Sequence, residues 1–184
     1  YPNFSVYKLI EYTSSKHLNN ISYNYYGTKV TYYQFLKQID EVARSLKAIG
    51  VKHKDVVSIC MPNMPEAIYV FYACNKIGAV ADMIHPLSSP DQLKFYLSES
   101  ESKLLFLVDF DYDKMNDVIE ASSVQNTVLI SPKESMPAAL TLGYTITRDL
   151  KTKRPSKHDE NYYKWKEFLR LGLDYKEPIR SGMK

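Results

Sequence analysis

The sequence predicts an α/β fold: a mostly parallel, doubly wound sheet flanked by helices, with an N-terminal β-hairpin. Short apolar runs rich in β-branched residues recur at a regular interval, beginning near Val56, Ala79, Lys103 and Thr127. The segments between these runs carry helix start and stop signals. Runs this apolar are typical of strands buried on both faces, and such strands pair in parallel through helical crossovers.

The N-terminal segment predicts a short helix followed by a hairpin. Apolar residues at helical spacing indicate a helix over Ser5–Ser15. The runs Ile21–Tyr25 and Lys29–Thr31 flank Gly27, which indicates two antiparallel strands with the glycine near their turn.

Capping boxes predict where three of the helices begin. In such a box a Ser, Thr or Asn side chain accepts a bond from the first helical turn, and a Glu or Gln three residues later returns one. Gly50 and Gly78 then mark the ends of the first two of these helices. The residue pairs with capping-box spacing are Thr31 with Gln34, Asn63 with Glu66, and Ser89 with Gln92.

The chain is expected to form one domain over residues 1–184, with its core at about residues 20–130. Beyond Ser131 the pattern becomes irregular and rich in proline, so residues 131–184 are predicted to be a basic connector. Within it, Lys164–Arg170 is expected to form a short helix. Residues 151–184 carry 10 Lys and Arg against 5 Asp and Glu, so the positive charge of the chain is concentrated there.

Composition excludes several classes of function. No apolar run approaches the roughly 20 residues that a membrane-spanning helix needs. Cys60 and Cys74 match no metal-binding spacing and are expected to be reduced core residues, which favours a cytoplasmic location. Tyrosine–lysine pairs are scattered over different elements, so no nucleic-acid partner is expected. The basic run Lys151–Lys157 allows peripheral membrane contact at most.

No metal site and no catalytic residue are predicted. Asp109, Asp111 and Asp113 form a D-x-D-x-D run with the spacing of a calcium loop, but Lys114 stands where that loop needs glycine. None of the six glycines lies within five residues of another, so no glycine-rich phosphate loop is present.

The segment Ile84–Ser89 is the candidate ligand site. It follows a predicted strand and precedes a helix N-terminus, and ligands of open parallel sheets bind outside the carboxyl ends of the strands. His85 stands in it before Pro86. The alternative is a loop histidine whose turn is fixed by proline and which contacts no ligand. Met61–Asn63 lies at the equivalent edge of the preceding strand, with helix capping as its alternative role.

Four segments, in the same order along the chain, resemble the N-terminal region of AMP-forming acyl-CoA synthetases of the adenylate-forming superfamily. Val30–Leu36 is similar to the opening TY-x-E/Q-L motif of that family, and Met61–Ala67 is similar to its N-x-P-E helix start. Cys74–Val80, followed by Ile84–Pro90, resembles its second core motif. Ser98–Leu107 resembles its ED-S-x-A-K-L-L turn into a strand.

The resemblance implies a parent enzyme that activates a carboxylic acid, with a long-chain fatty acid favoured, to an acyl-adenylate and passes it to CoA. ATP, magnesium and CoA are the cofactors implied for that parent. The family's ATP loop lies downstream of everything in this chain, so a fragment that binds none of them and is inactive alone is expected. In the second core motif, His85, Pro86 and Leu87 match the loop that CoA approaches in relatives.

Other interpretations remain open from the sequence. A stand-alone, flavodoxin-like module that holds a ligand at Ile84–Ser89 is the main alternative. A lipid-surface binder that uses Lys151–Lys157 is another. A peptide-synthetase adenylation domain is less favoured, because His85-Pro86 stands where an acidic anchor is expected. Self-association is expected through apolar surface after Ile130.

Overall fold

A computed structural model describes residues 5–147 and 161–179 of the chain. Its helices are α1 (Val6–Ser14), α2 (Tyr32–Ala48), α3 (Pro65–Ile77), α4 (Pro90–Ser100), α5 (Tyr112–Glu120), α6 (Ala138–Thr147) and α7 (Trp165–Leu171). Its strands are β1 (Ile21–Tyr25), β2 (Thr28–Thr31), β3 (Val56–Cys60), β4 (Val80–Ile84), β5 (Leu104–Val108), β6 (Asn126–Ile130) and β7 (Tyr162–Lys164). In the part of the chain so described, no helix is both long and apolar enough to span a bilayer.

Strands β3 to β7 form one five-stranded sheet in the order β4-β3-β5-β6-β7, and every neighbouring pair is parallel. Side chains of α2, α3 and α7 pack in the core on one face of the sheet. Side chains of α4 and α5 pack in the core on the other face. The predicted doubly wound α/β class is therefore confirmed.

The central strands are buried on both faces, as their apolar runs predict. In β5, Phe106 and Val108 face the first core, whereas Leu105 and Leu107 face the second. The partners on β6 follow the same alternation, because Phe106 pairs with Val128 and Leu107 pairs with Leu129. A strand of this kind leaves no polar face for solvent.

The N-terminal hairpin is also confirmed, since β1 and β2 pair antiparallel. Tyr26 and Gly27 form its turn with φ of 50° and 94°. Two successive positive φ angles are those of a type I′ turn, which matches the twist of the strands it joins. The side chain of Asn24 accepts a bond of 2.9 Å from the Gly27 N–H.

Two of the three predicted capping boxes form, at Thr31 with Gln34 and at Ser89 with Gln92. The box predicted at Asn63 is wrong. Proline sets the first helical position at Pro65, so the N-cap is Met64, which makes no side-chain cap. Glu66 is then the second helical residue instead of the third, and its side chain turns into the protein.

The prediction that residues 131–184 are an irregular connector is wrong for the described part of that segment. A helix, α6, follows β6, and β7 pairs in parallel with β6 at the edge of the sheet. The expected helix at Lys164–Arg170 is present as α7, and its Trp165 and Phe168 are part of the main core. The core therefore extends past residue 130. The basic run Lys151–Lys157 lies outside the described residues.

Helix α1 is held on α2 and α3 by a polar cluster. The Lys76 ammonium of α3 donates to the Tyr7 hydroxyl at 3.0 Å and to the Asp40 carboxylate at 2.8 Å. It also lies 4.6 Å from the centre of the Tyr7 ring, a cation–π distance. The Tyr7 N–H donates to the side chain of Asn75 at 2.7 Å. One lysine thus contacts both neighbouring helices.

Candidate functional site

The five parallel strands end at one edge of the sheet, where the candidate site lies. From β3 the chain crosses to β4 on one side, and β5 lies on the other side. The topological switch point is therefore between β3 and β5, and ligands of open α/β sheets bind outside the strands at such a point. The loops that follow β3, β4, β5 and β6 lie at this edge.

The loop after β4 carries the predicted ligand residues. His85 and Leu87 are exposed, and Pro86 is half-buried. The Leu87 N–H donates to His85 Nδ1 at 3.2 Å, and the Ser88 N–H donates to the His85 carbonyl at 3.0 Å. These bonds close a turn that leads directly into the capped start of α4.

This geometry defines what His85 offers to a ligand. Because Nδ1 accepts a bond from the backbone, the hydrogen of the neutral ring is assigned to Nε2. Cys60 of the neighbouring strand β3 also contacts this loop, as its thiol donates to the His85 carbonyl at 3.7 Å. The structure therefore places His85, Pro86 and Leu87 at the carboxyl edge, beside the switch-point strand. Their binding of CoA stays a prediction.

The loop after β3 is largely buried. Met61 and Met64 are in the core, and only Asn63 is exposed. The Met64 N–H donates to the Pro62 carbonyl at 2.8 Å, which turns the chain sharply into α3. Asn63 is thus the side chain of this loop that faces solvent, although it caps no helix.

Glu66, in the first turn of α3, is the polar residue of this edge that sequence reasoning assigned wrongly. Its side chain is only 1% exposed. Ser135, which ends a 3-10 turn after β6, donates its hydroxyl to Glu66 Oε1. Burial raises the pKa of Glu66 to about 7, although the Ser135 bond opposes that shift. The sequence does hold a signal for this burial, because Glu66 follows Pro65 and lies between otherwise apolar positions.

The loop after β5 holds the aspartates of the D-x-D-x-D run. Asp109–Asp111 forms a 3-10 turn, and α5 follows at once, so the run does not adopt a calcium loop. Asp109 is buried at the end of β5. Burial raises the pKa of Asp111, while Lys114 opposes the shift and Asp109 adds to it. The run therefore begins a helix at the switch point.

Both cysteines are buried and free, as the sequence predicts. Burial raises the pKa of the Cys60 thiol to about 11 and that of the Cys74 thiol to about 12. Thiols with such values carry almost no thiolate near neutral pH, so neither is a candidate nucleophile.

Comparisons with known proteins all point to the same enzyme family. The sequence model of the AMP-binding enzyme family matches residues 10–164. The chain is 37% identical over 83 residues to acetyl-coenzyme A synthetase of Penicillium chrysogenum, which is 45% of this chain and 12% of that protein. It is 33% identical over 135 residues to the peroxisomal trans-cinnamate:CoA ligase of Petunia hybrida, covering 71% of this chain and 24% of that protein.

A third relative is the long-chain-fatty-acid–CoA ligase of Bacillus subtilis, at 21% identity over 150 residues, or 82% of this chain and 27% of that protein. Among solved structures, the anthranilate CoA ligase AuaEII in complex with anthranoyl-AMP has the same fold. Its TM-score is 0.75 at 15% identity, over 99% of this chain and 30% of that one. The chain thus spans between 12% and 27% of the length of the three relatives. Because the family model matches most of its residues, the chain belongs to the AMP-binding enzyme family.

Proposed function

We propose that this chain is the N-terminal scaffold of an AMP-forming acid–CoA ligase whose acid is a fatty acid. The parent enzyme would join a carboxylic acid to CoA and convert ATP to AMP and pyrophosphate. The observation that carries the proposal is the family match over residues 10–164, together with three relatives that are all CoA ligases or synthetases.

The described residues of this chain contain no recognisable motif for ATP with magnesium. They contain no group of three His, Cys, Asp or Glu side chains that could hold a metal ion. The six glycines are spread from Gly27 to Gly182 and form no phosphate loop. We therefore assign ATP and magnesium to other parts of the parent, and we expect the chain alone to be inactive.

CoA is the ligand that we assign to the edge of this chain. Supporting this is the exposed turn of His85, Pro86 and Leu87, which stands before the N-terminus of α4. The assignment rests on the match of these residues to the loop that CoA approaches in relatives. In the complete enzyme, His85→Ala is expected to raise the KM for CoA and leave the KM for ATP unchanged. Equal changes in both would contradict the assignment.

A fatty acid is the substrate that we favour, on the similarity to the Bacillus subtilis long-chain ligase over 82% of this chain. The test is CoA-thioester formation by the complete enzyme, measured by mass spectrometry with acetate, cinnamate and fatty acids of increasing length. The highest kcat/KM is expected for a long-chain acid. Highest activity with acetate or cinnamate would support the proposed ligase activity and refute a fatty acid as its substrate.

A stand-alone ligand-binding module is the second candidate. The strand order β4-β3-β5-β6-β7 favours it, because flavodoxin-like proteins share that order. Such a module would be complete in itself and would bind a flavin or nucleotide with this chain alone. Equilibrium dialysis of the chain against FMN and ATP separates the two candidates, since the scaffold of a larger ligase is expected to retain neither.

We also propose a cytoplasmic location, which the two buried and unpaired cysteines support. Self-association is supported by α6, which has no charged side chain and exposes Leu140, Leu142 and Ile146. Light scattering of the chain at high concentration is expected to detect oligomers, and a strict monomer would contradict this. Nucleic acid is not among the proposed partners. Membrane contact is at most peripheral and would appear as salt-sensitive vesicle binding.

A further inference from the structure

Glu66 joins two loops at the carboxyl edge that lie far apart in the chain. It is the second residue of α3, directly after the loop that follows β3. Ser135 ends the turn that follows β6, and its hydroxyl donates to Glu66 Oε1 across 69 residues of sequence. The bond therefore ties the start of α3 to the Pro132–Ser135 turn.

The carboxyl group of Glu66 has little to stabilise a charge. Its second oxygen, Oε2, is buried and has no hydrogen-bond partner among the described residues. The ion pairs of residues 5–147 and 161–179 do not include it. A buried carboxylate with an unpaired oxygen and no ion-pair partner among the described residues is costly, so the neutral acid is favoured.

The groups that face Glu66 reinforce this preference. Glu134 in the 3-10 turn adds negative charge, and it pairs with Lys166 of α7 at 3.7 Å. Burial, together with the charge of Glu66, raises the pKa of three tyrosines of the hairpin and of α3, which are Tyr23, Tyr25 and Tyr69. Lys133 lies in the same 3-10 turn as Glu134. The Ser135 bond, the backbone N–H of Glu66 and the N-terminal end of α3 favour the ionised form.

We propose that Glu66 is a proton-controlled positioning residue: its neutral carboxyl group holds the Pro132–Ser135 turn on α3, and its ionisation releases that turn. Ionisation places an unpaired charge in the contact between turn and helix, and water must enter to solvate it. The turn leads into α6, so its release frees that helix from the carboxyl edge. The inference concerns this chain alone and stands whether or not the proposed ligase activity is correct.

The test measures opening of the turn against pH. Hydrogen exchange of residues 132–147 is followed by mass spectrometry, corrected for the intrinsic pH dependence of exchange. One proton is released on opening, so the opening constant is expected to rise about tenfold per pH unit above the ordinary pKa of 4.5 and to level off near pH 7. Carboxyl ¹³C NMR of Glu66 should titrate with its midpoint near the same upper value.

Variants separate this role from a merely structural one. Glu66→Gln keeps the shape of the side chain and is expected to give a flat pH profile. Ser135→Ala removes a bond that favours the carboxylate, so the pH at which the opening constant levels off should move to a higher value. Glu134→Gln removes a negative neighbour and should move it to lower pH. Glu99→Gln, on the exposed surface of α4, is the control and should leave the profile unchanged.

The proposal is overturned by any of three results. Opening that remains pH-dependent in Glu66→Gln would assign the switch to another group. A Glu66 titration at the ordinary value would show that its burial does not favour the acid. Shifts of Ser135→Ala and Glu134→Gln in the same direction would show that the contacts around Glu66 are not those described.

Discussion

Phe168 tests whether β7 and α7 belong to the folded core. Its side chain is fully buried, and its ring meets the Phe106 ring edge-to-face at a centroid distance of 5.3 Å. The Trp165 ring lies 5.8 Å away on the same helix. Replacing Phe168 with alanine would remove the contact that joins α7 to the central strand β5.

The expected cost follows from these contacts. Truncation of a buried phenylalanine to alanine destabilises proteins by about 3–5 kcal/mol. An aromatic pair of this geometry supplies about 0.5–1.5 kcal/mol of such a cost. Because α7 is a short helix next to an edge strand, the site can partly collapse, and we expect about 3 kcal/mol for Phe168→Ala.

Urea unfolding monitored by the fluorescence of Trp165, the single tryptophan of the chain, measures this value. With a denaturant slope near 2 kcal/mol/M, the midpoint should fall by about 1.5 M. Phe95→Ala is the matched control, because Phe95 is 58% exposed on α4. It should change stability by no more than about 0.5 kcal/mol. Equal effects of the two substitutions would refute the assignment of α7 to the core.

Three further changes test other parts of the structure. Ser89→Ala removes the N-cap of α4 and should cost about 1 kcal/mol in urea unfolding, and Ser89→Asp should restore most of it. Lys76→Met leaves Asp40 without its 2.8 Å partner and should lower the free energy of unfolding by about 1–3 kcal/mol. Hydrogen exchange in α1 should become faster, and an unchanged exchange rate there would contradict the described cluster. The pKa of Glu66 is raised from 4.5 to about 7, so the stability of the wild type should fall by about 3 kcal/mol as pH rises through that interval. Glu66→Gln should lack this pH-dependent fall in stability, and identical pH profiles of the variant and the wild type would show that Glu66 does not cause it.

Local signals in the sequence predict most of the elements. Thr31 with Gln34 and Ser89 with Gln92 start helices where their spacing indicates, because a capping box depends only on neighbouring residues. Asn63 has the same spacing but fails, since Pro65 fixes the first helical position one residue too late for it. Proline thus overrides the capping pattern.

Features that depend on distant residues could not be predicted. Strand β7 has three residues, Tyr162–Lys164, which are too few for a strand pattern to show in the sequence, so its pairing with β6 identifies it. The Glu66–Ser135 bond joins residues 69 positions apart, and no periodicity reports such a contact. At the candidate site, the sequence predicts the position of His85 at a strand end, because strand and helix signals flank it.

The most direct measurement of the central proposal is acid-dependent pyrophosphate release from ATP, compared between residues 1–184 and the complete enzyme under identical conditions. Release by the complete enzyme, with none by this chain, is the predicted result. Turnover by the purified chain alone would contradict the account, because it would require a nucleotide site within residues that we assign to the scaffold.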